Sequence, residues 1–289
     1  MTDICVLSPA KINLGLSIIG RRTDGYHEIQ TVFQKIALYD EITIKQTDVR
    51  GSISLRVSDP SVPDDMSNLA AKAAALLIHE YDIRCGISIT INKRIPAGAG
   101  LGGGSSNAAA TLRAMNTLFM LNLSEVQLKH HARALGADVP FFVTDISTAY
   151  GFGIGDQLLP VHMGVPFWTL IVFPNIPIAT SWAYEAFSKY NLLTKQKKRI
   201  SYINSFNTLE DIINNLVNDF ELVVFPAYPR IRMLRERLLE CGARGALLSG
   251  SGSSVFGVFD SYAACRDAYD VFAEEKNSLR FCAQALVQP

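Results

Sequence analysis

The sequence predicts an α+β protein in which strands and helices are laid down in two successive sets, rather than a doubly wound parallel sheet. Three observations carry that expectation. Short β-branched segments joined by turns such as "RTDGYH" come first, helix-forming runs such as "NLAAKAAALLIHEY" follow, and the same order begins again after "TAYGFGIGDQLLP". The restart places a boundary near Pro160, with residues 1–159 as one domain and 160–289 as the second.

"AKINLGLSIIG", "IQTVFQKIALYDEITIKQ" and "ISLRV" read as strands. Their connections are too short for helical crossovers, which predicts an antiparallel sheet. Ser67 is positioned to cap the alanine-rich helix after it. "GISITINKRI" returns to strand alternation, and "SSNAAATLRAMNTLFM" reads as a helix. Ser124 opens "SEVQLKHHARALG", with Gln127 in capping-box position and Gly136 placed to end it. In the second half "FWTLIVFP" is a short apolar strand. Helices are expected around "SWAYEAFSKY", "TLEDIINNLVNDFE" and "PRIRMLRERLLECG". "GALLSGSGSSVFGVF" reads as two strands joined by a Ser/Gly turn, and "SYAACRDAYDVFAEE" as a helix before a last strand.

The 289 residues are 48% hydrophobic, enough for two ordinary domains. Lys+Arg and Asp+Glu both number 27, and a chain of zero formal charge without a basic run is poorly suited to nucleic acid. "KQKKR" at Lys195–Arg199 reads as a solvated loop. Cys5, Cys85, Cys241, Cys265 and Cys282 are scattered without a CxxC pair, which suits reduced, mostly buried thiols in a cytoplasmic protein. No apolar run approaches the roughly 18 residues that span a bilayer, and no membrane partner is expected.

The most informative stretch is "RIPAGAGLGGGSSNAAA", Arg94–Ala110, with glycine at 98, 100, 102, 103 and 104. A glycine-rich loop that opens a helix leaves backbone N–H groups pointing at the helix's positive end, and that arrangement binds phosphate. Ser105 and Ser106 add hydroxyls suited to a phosphate oxygen or a magnesium ion. It is not a Walker A loop, because Asn107 and Ala108 stand where GK[ST] would end. Nor does it follow the dinucleotide fingerprint, which needs a βαβ unit and a later acidic residue.

"PAGAGLGGGSSNAA" resembles the nucleotide loop of the GHMP small-molecule kinases, "SPAKINLGL" their first motif and "GALLSGSGSSVFGVF" their third. "RTDGYHEIQTVF" and "LGADVPFF" are similar to the diphosphocytidyl-polyol branch of that family. The resemblance implies an N-terminal ribosomal protein S5 domain 2-like ATP domain and a C-terminal ferredoxin-like α+β domain. It also implies transfer of the γ-phosphoryl group of ATP, with Mg2+, to a hydroxyl of a diphosphocytidyl polyol. No Asp/Glu cluster announces a metal cage, so the ion would be held mainly by phosphates, water and Ser105. A monomer or weak homodimer is expected.

The resemblance assigns site residues one by one. Asp138, which alone reads as a helix cap or turn residue before Val-Pro, falls on the family's catalytic base. Lys11, which alone reads as a solvent-facing lysine on a strand edge sharing a face with Asn13, falls on the lysine beside that base. Pro96, Ala97, Gly98, Ala99, Gly100, Leu101, Gly102, Gly103, Gly104, Ser105 and Ser106 form the nucleotide loop, with Asn68 and Lys93 around the adenine. Ser249–Ser254 backs the phosphate region. Asn13, Tyr26 and His27 face the second substrate, and Tyr184, or Trp182 beside it, closes on the cytosine. His130 and His131 have no ligand-spaced partner and read as surface or helix-end residues; no metal ligand is assigned. Another GHMP kinase, acting on a mevalonate-type alcohol, homoserine or a sugar, stays open. So does a catalytically silent nucleotide binder on the same scaffold.

Overall fold

The computed structural model describes residues 3–190 and 200–287, so the loop expected at Lys195–Arg199 lies outside the described residues. Two long strands open the chain, β1 (Asp3–Arg21) and β2 (His27–Thr47), followed by β3 (Ile53–Val57), helix α1 (Leu69–Glu80) and β4 (Gly86–Asn92). Next come α2 (Gly103–Leu118), α3 (Glu125–Leu135), the short α4 (Val139–Val143), β5 (Thr148–Phe152), β6 (Gln157–Pro160) and β7 (His162–Met163). The rest is β8 (Trp168–Phe173), α5 (Thr180–Lys189), β9 (Ser205–Phe206), α6 (Leu209–Asn215), β10 (Val217–Asn218) and α7 (Glu221–Ala227). It closes with α8 (Pro229–Glu240), β11 (Gly245–Leu248), β12 (Val255–Phe259), α9 (Tyr262–Val271) and β13 (Leu279–Gln284).

These elements form two compact units. One comprises Met1–Ala10, Leu38–Ala97 and Gly102–Asp145, the other Lys11–Ala37, Gly98–Leu101 and Ile146–Pro289. Neither is continuous in sequence, because β1, β2 and the glycine loop each contribute residues to both.

In the first unit the end of β2 pairs antiparallel with β4, Glu41 opposite Asn92 through Thr47 opposite Gly86. β3 instead pairs parallel with β4, Ile53 opposite Ile87, which corrects the all-antiparallel expectation. The chain between β3 and β4 carries α1, and a helix-bearing connection is what a parallel neighbour requires. Ile42, Ile44, Ile87, Ile89 and Ile91 are fully buried. So are Ala70, Ala71, Ala73 and Ala74 of α1 and Ala108 and Ala109 of α2, small residues that let the two helices pack together.

The helix starts show which local signals won. Asn68, not Ser67, caps α1, its Oδ1 accepting from the Ala70 amide at 2.9 Å. Ser67 is taken by Asp65, whose carboxylate accepts both its amide and its hydroxyl. Ser67 stands one residue before the cap position, so its hydroxyl donates to the charged acceptor while Asn68 answers the helix amide. α2 begins at Gly103, ahead of the serines, because Gly102 turns the chain at φ +71°. α3 has the expected capping box between Ser124 and Gln127, and Gly136 ends it. Ser124→Ala should therefore lower stability by about 1 kcal/mol, read from the midpoint of urea unfolding; an unchanged midpoint would mean that the cap contributes nothing.

In the second unit β1 pairs parallel with β10, Gly15 opposite Val217, and β2 pairs antiparallel with β5, Thr31 opposite Gly151. A separate antiparallel sheet has the order β11-β12-β8-β13, with the apolar "FWTLIVFP" strand inside it and the expected Ser/Gly hairpin at its edge. Phe187, Phe220, Phe259 and Phe272 are among the side chains of its core. "TLEDIINNLVNDFE" is not one helix: it divides into α6, β10 and the start of α7. Asp219 Oδ2 accepts the Ile18 amide at 2.8 Å and the Asp219 amide donates to Leu16, so long-range pairing overrides local helix propensity. All five cysteines are free; only Cys265 is buried and Cys5 is exposed, against the expectation that most are buried. No helix among the described residues is long and apolar enough to cross a membrane.

Candidate active site

Three of the sequence motifs meet within the second unit. The Lys11 amide donates to Leu101 of the glycine loop at 3.0 Å, and the Ser254 amide donates to Ala99 at 3.2 Å. Ser249 Oγ donates to the Gly100 carbonyl at 3.0 Å. Gly100 must be glycine on two counts. Its φ is +76°, and a Cβ there would lie 2.1 Å from the Ser249 carbonyl oxygen. A Cβ on Gly250 would lie 3.4 Å from Lys11 Nζ and 3.2 Å from the Gly100 oxygen. The start of the loop, the Ser/Gly turn and the lysine thus share one small region.

Lys11 is not a solvent-facing edge lysine. It is 4% exposed, and its Nζ donates to Asn13 Oδ1 at 2.6 Å. Asn13 Nδ2 donates in turn to Thr31 Oγ1, which donates to the Gly15 carbonyl, both at 2.7 Å. A buried ammonium held in place in this way can stabilise negative charge on an oxygen brought against it.

The first unit holds the rest of the loop, including the start of α2. Lys93, put by the resemblance around the adenine, has its side chain 4% exposed and ion-paired with the fully buried Asp40. Asn68 is occupied as the α1 cap, with Nδ2 donating to the Pro63 carbonyl. Pro96 is buried, whereas Ala97 and Gly98 are exposed. Ser106 is 1% exposed and accepts a hydrogen bond from Ser8 Oγ at 2.7 Å, while Ser105 is half-buried. Asp138 sits at the head of α4 and is half-buried, but its side chain makes no capping bond. The cap reading therefore does not account for its carboxylate. His131 is buried rather than superficial, with Nε2 3.0 Å from Tyr81 Oη and Nδ1 3.4 Å from Glu80; His130 is exposed.

The aromatic residues belong to the second unit. His27 and Tyr184 stack on each other, centroids 4.6 Å apart and planes 18° from parallel, and His27 Nε2 lies 2.8 Å from Ser188 Oγ. Burial first, and the nearby Arg21 second, push the His27 pKa below its ordinary value. The imidazole is therefore neutral at pH 7, able to donate from one ring nitrogen and accept at the other. Trp182 instead packs edge-on against Tyr228 at 5.3 Å. Tyr26 is 61% exposed. A base does not fit between rings 4.6 Å apart, which leaves Tyr26 and the outer ring surfaces for stacking.

Sequence reasoning missed Asp40, Ser8, Asn107 and Thr31. Asp40 had one signal: a carboxylate at an inward position of the apolar strand "KIALYDEITI". Ser8 and Thr31 lie inside the motifs "SPAKINLGL" and "RTDGYHEIQTVF", but their residue types are ordinary for strands and gave no signal beyond that.

Two family descriptions match the chain, GHMP kinases N terminal domain over residues 68–145 and GHMP kinases C terminal over 196–276. The chain is 43% identical over 277 residues to a 4-diphosphocytidyl-2-C-methyl-D-erythritol kinase of Chlorobium phaeobacteroides, covering 95% of each chain. It is 40% identical to the enzyme of that name from Geobacter metallireducens, covering 99% of this chain and all of the relative. A crystal structure of a 4-(cytidine 5'-diphospho)-2C-methyl-D-erythritol kinase superposes with a TM-score of 0.80 at 32% identity, covering 98% of this chain and 100% of that one. With its glycine loop folded onto the Ser/Gly turn and with relatives that match along nearly its whole length, the chain belongs to the GHMP kinase family.

Proposed function

We propose that this protein phosphorylates the 2-hydroxyl of 4-diphosphocytidyl-2-C-methyl-D-erythritol with ATP, a step of non-mevalonate isoprenoid precursor synthesis. The observation that carries the reading is the convergence of the loop, the Ser249–Ser254 turn and Lys11, together with relatives of that name at about 40% identity. Asp138 takes the proton of the acceptor hydroxyl, and the oxygen attacks the γ-phosphorus as ADP leaves. Lys11 favours the charge developing on the acceptor oxygen. The amides at the start of α2 hold phosphate oxygens. The Lys93 ammonium is committed to Asp40, so what Lys93 offers to adenine is its backbone and stem rather than its charge. The residues present fit a magnesium ion carried by the nucleotide, since the half-buried Ser105 hydroxyl at the start of α2 is an oxygen donor of the kind a hard cation prefers. Such an ion offsets phosphate charge when bound. Tyr26 and Tyr184 present ring faces to cytosine, and neutral His27 hydrogen-bonds its edge.

An ADP-release assay with Mg-ATP tests this, offering the cytidyl substrate beside mevalonate, homoserine and galactose. Turnover with the cytidyl substrate alone is expected; turnover with another of these alcohols instead would overturn the substrate assignment while keeping the kinase. Tyr184→Ala should raise KM for the cytidyl substrate about tenfold, as loss of base stacking does, and leave KM for ATP within twofold. Equal rises in both KM values would remove the stacking role.

A further inference from the structure

Within the first unit a buried polar network joins the two ends of the glycine loop, and the activity proposed above uses none of its interior members. Its centre is Asp40, 0% exposed. Oδ1 accepts the backbone amides of Arg94 and Ile95 at 2.8 and 2.9 Å, where the loop begins. Oδ2 accepts Lys93 Nζ, and also Asn107 Nδ2 at 2.9 Å, from the first turns of α2, where the loop has ended. A single carboxylate thus clamps both sides of the loop with four donors. A Cβ on Gly103 would lie 3.1 Å from Lys93 Nζ, so the helix start rests directly on this ion pair.

The network also has a direction. A carboxylate only accepts and an ammonium only donates. Asn107 must therefore turn Nδ2 to Asp40 and Oδ1 to Lys93 Nζ, 3.4 Å away. Nδ2 also donates to Ser8 Oγ at 3.0 Å, and Ser8 Oγ then donates to Ser106 Oγ at 2.7 Å. Ser106 is left as the acceptor in that bond, with its own proton unspent at the start of α2. Hydrogen bonds polarise one another along such a chain, so the Ser106 hydroxyl is presented as a donor.

We infer that Asp40 is a positioning residue for nucleotide binding: through Asn107 and Ser8 it fixes the loop and orients the Ser106 hydroxyl to donate to a phosphate oxygen of ATP. This rests on the reading of Gly98–Ser106 as the ATP loop. It gives Lys93 a part in supporting the loop, and it explains why a charged pair is retained in a fully buried position, where an apolar pair of like shape would serve stability as well.

The test uses the full chain and Mg-ATP without the alcohol, with Kd from titration calorimetry, then KM for both substrates and urea unfolding for each variant. Ser8→Ala removes the donor to Ser106 and one of the two acceptors of Asn107 Nδ2, leaving Asn107 bonded to Asp40. It should raise Kd for ATP about three- to tenfold, leave KM for the alcohol within twofold and lower the unfolding midpoint only slightly. Ser8→Thr keeps a hydroxyl and should restore ATP binding. Asp40→Asn should raise Kd for ATP about tenfold or more, because the bonds it loses are charge-assisted. If Asp40→Asn does not fold, the Ser8 pair decides alone. A Ser8→Ala chain that binds ATP like the unsubstituted protein, or a Ser8→Thr chain no better than Ser8→Ala, overturns the inference. Failure of the unsubstituted protein to bind ATP at all would instead overturn the reading of the loop, and the inference with it.

Discussion

Asp138→Asn is expected to lower kcat by about 10²- to 10⁴-fold, the usual contribution of a general base, with KM for ATP changed less than threefold. The carboxamide has nearly the same shape but cannot take a proton from an alcohol at neutral pH. The Asp138 side chain does not cap α4, so the substitution leaves the helix start as it is. The urea unfolding midpoint, measured alongside, separates loss of the base from loss of the fold. A kcat within threefold of the unsubstituted protein would move the base elsewhere.

Gly100→Ala is expected to have the largest effect of any single methyl group added to the loop. Gly100 adopts φ +76°, which costs a residue with a Cβ about 1–2 kcal/mol. The new Cβ also meets a backbone oxygen, that of Ser249, at 2.1 Å, and backbone has no rotamer by which to withdraw. Either the loop lifts from the Ser249–Ser254 turn or the turn itself shifts, and ATP binding is lost with both. Gly98→Ala is the control. Gly98 has a comparable φ of +65° but open space where its Cβ would go, so only the backbone strain is added. The Gly100 variant should be less stable than the Gly98 variant by about 1–3 kcal/mol, the cost of overpacking, and should bind ATP more weakly. Equal stability of the two would contradict the close approach of the loop to that turn.

Signals within a few residues of one another were enough for much of the fold. The Ser124–Gln127 capping box with Gly136, the β11–β12 hairpin and the glycine loop ahead of α2 all stand where local pattern puts them. Local neighbours explain the small misses: Ser67 donates to Asp65 while Asn68, one residue on, answers the helix amide, and Gly102 starts α2 before the serines. The larger miss, one helix read across residues 208–221, came from a contact two hundred positions away, because Asp219 answers an amide of β1.

The candidate site divides along the same line. A run of glycines before a helix is chemically unusual in any context, so residue order alone identified the loop, and motif resemblance named Lys11, Asp138, His27 and Tyr184. Their states were not legible. Lys11 is buried on Asn13, Lys93 is paired with Asp40, and the His27 ring lies on Tyr184. Each depends on partners brought together by packing, and period-two alternation along a strand says which face a side chain takes but not what covers that face. Asp40 is the clearest case. One charge in an apolar strand is a faint signal until the chain folds, when four donors from both sides of the loop arrive around it.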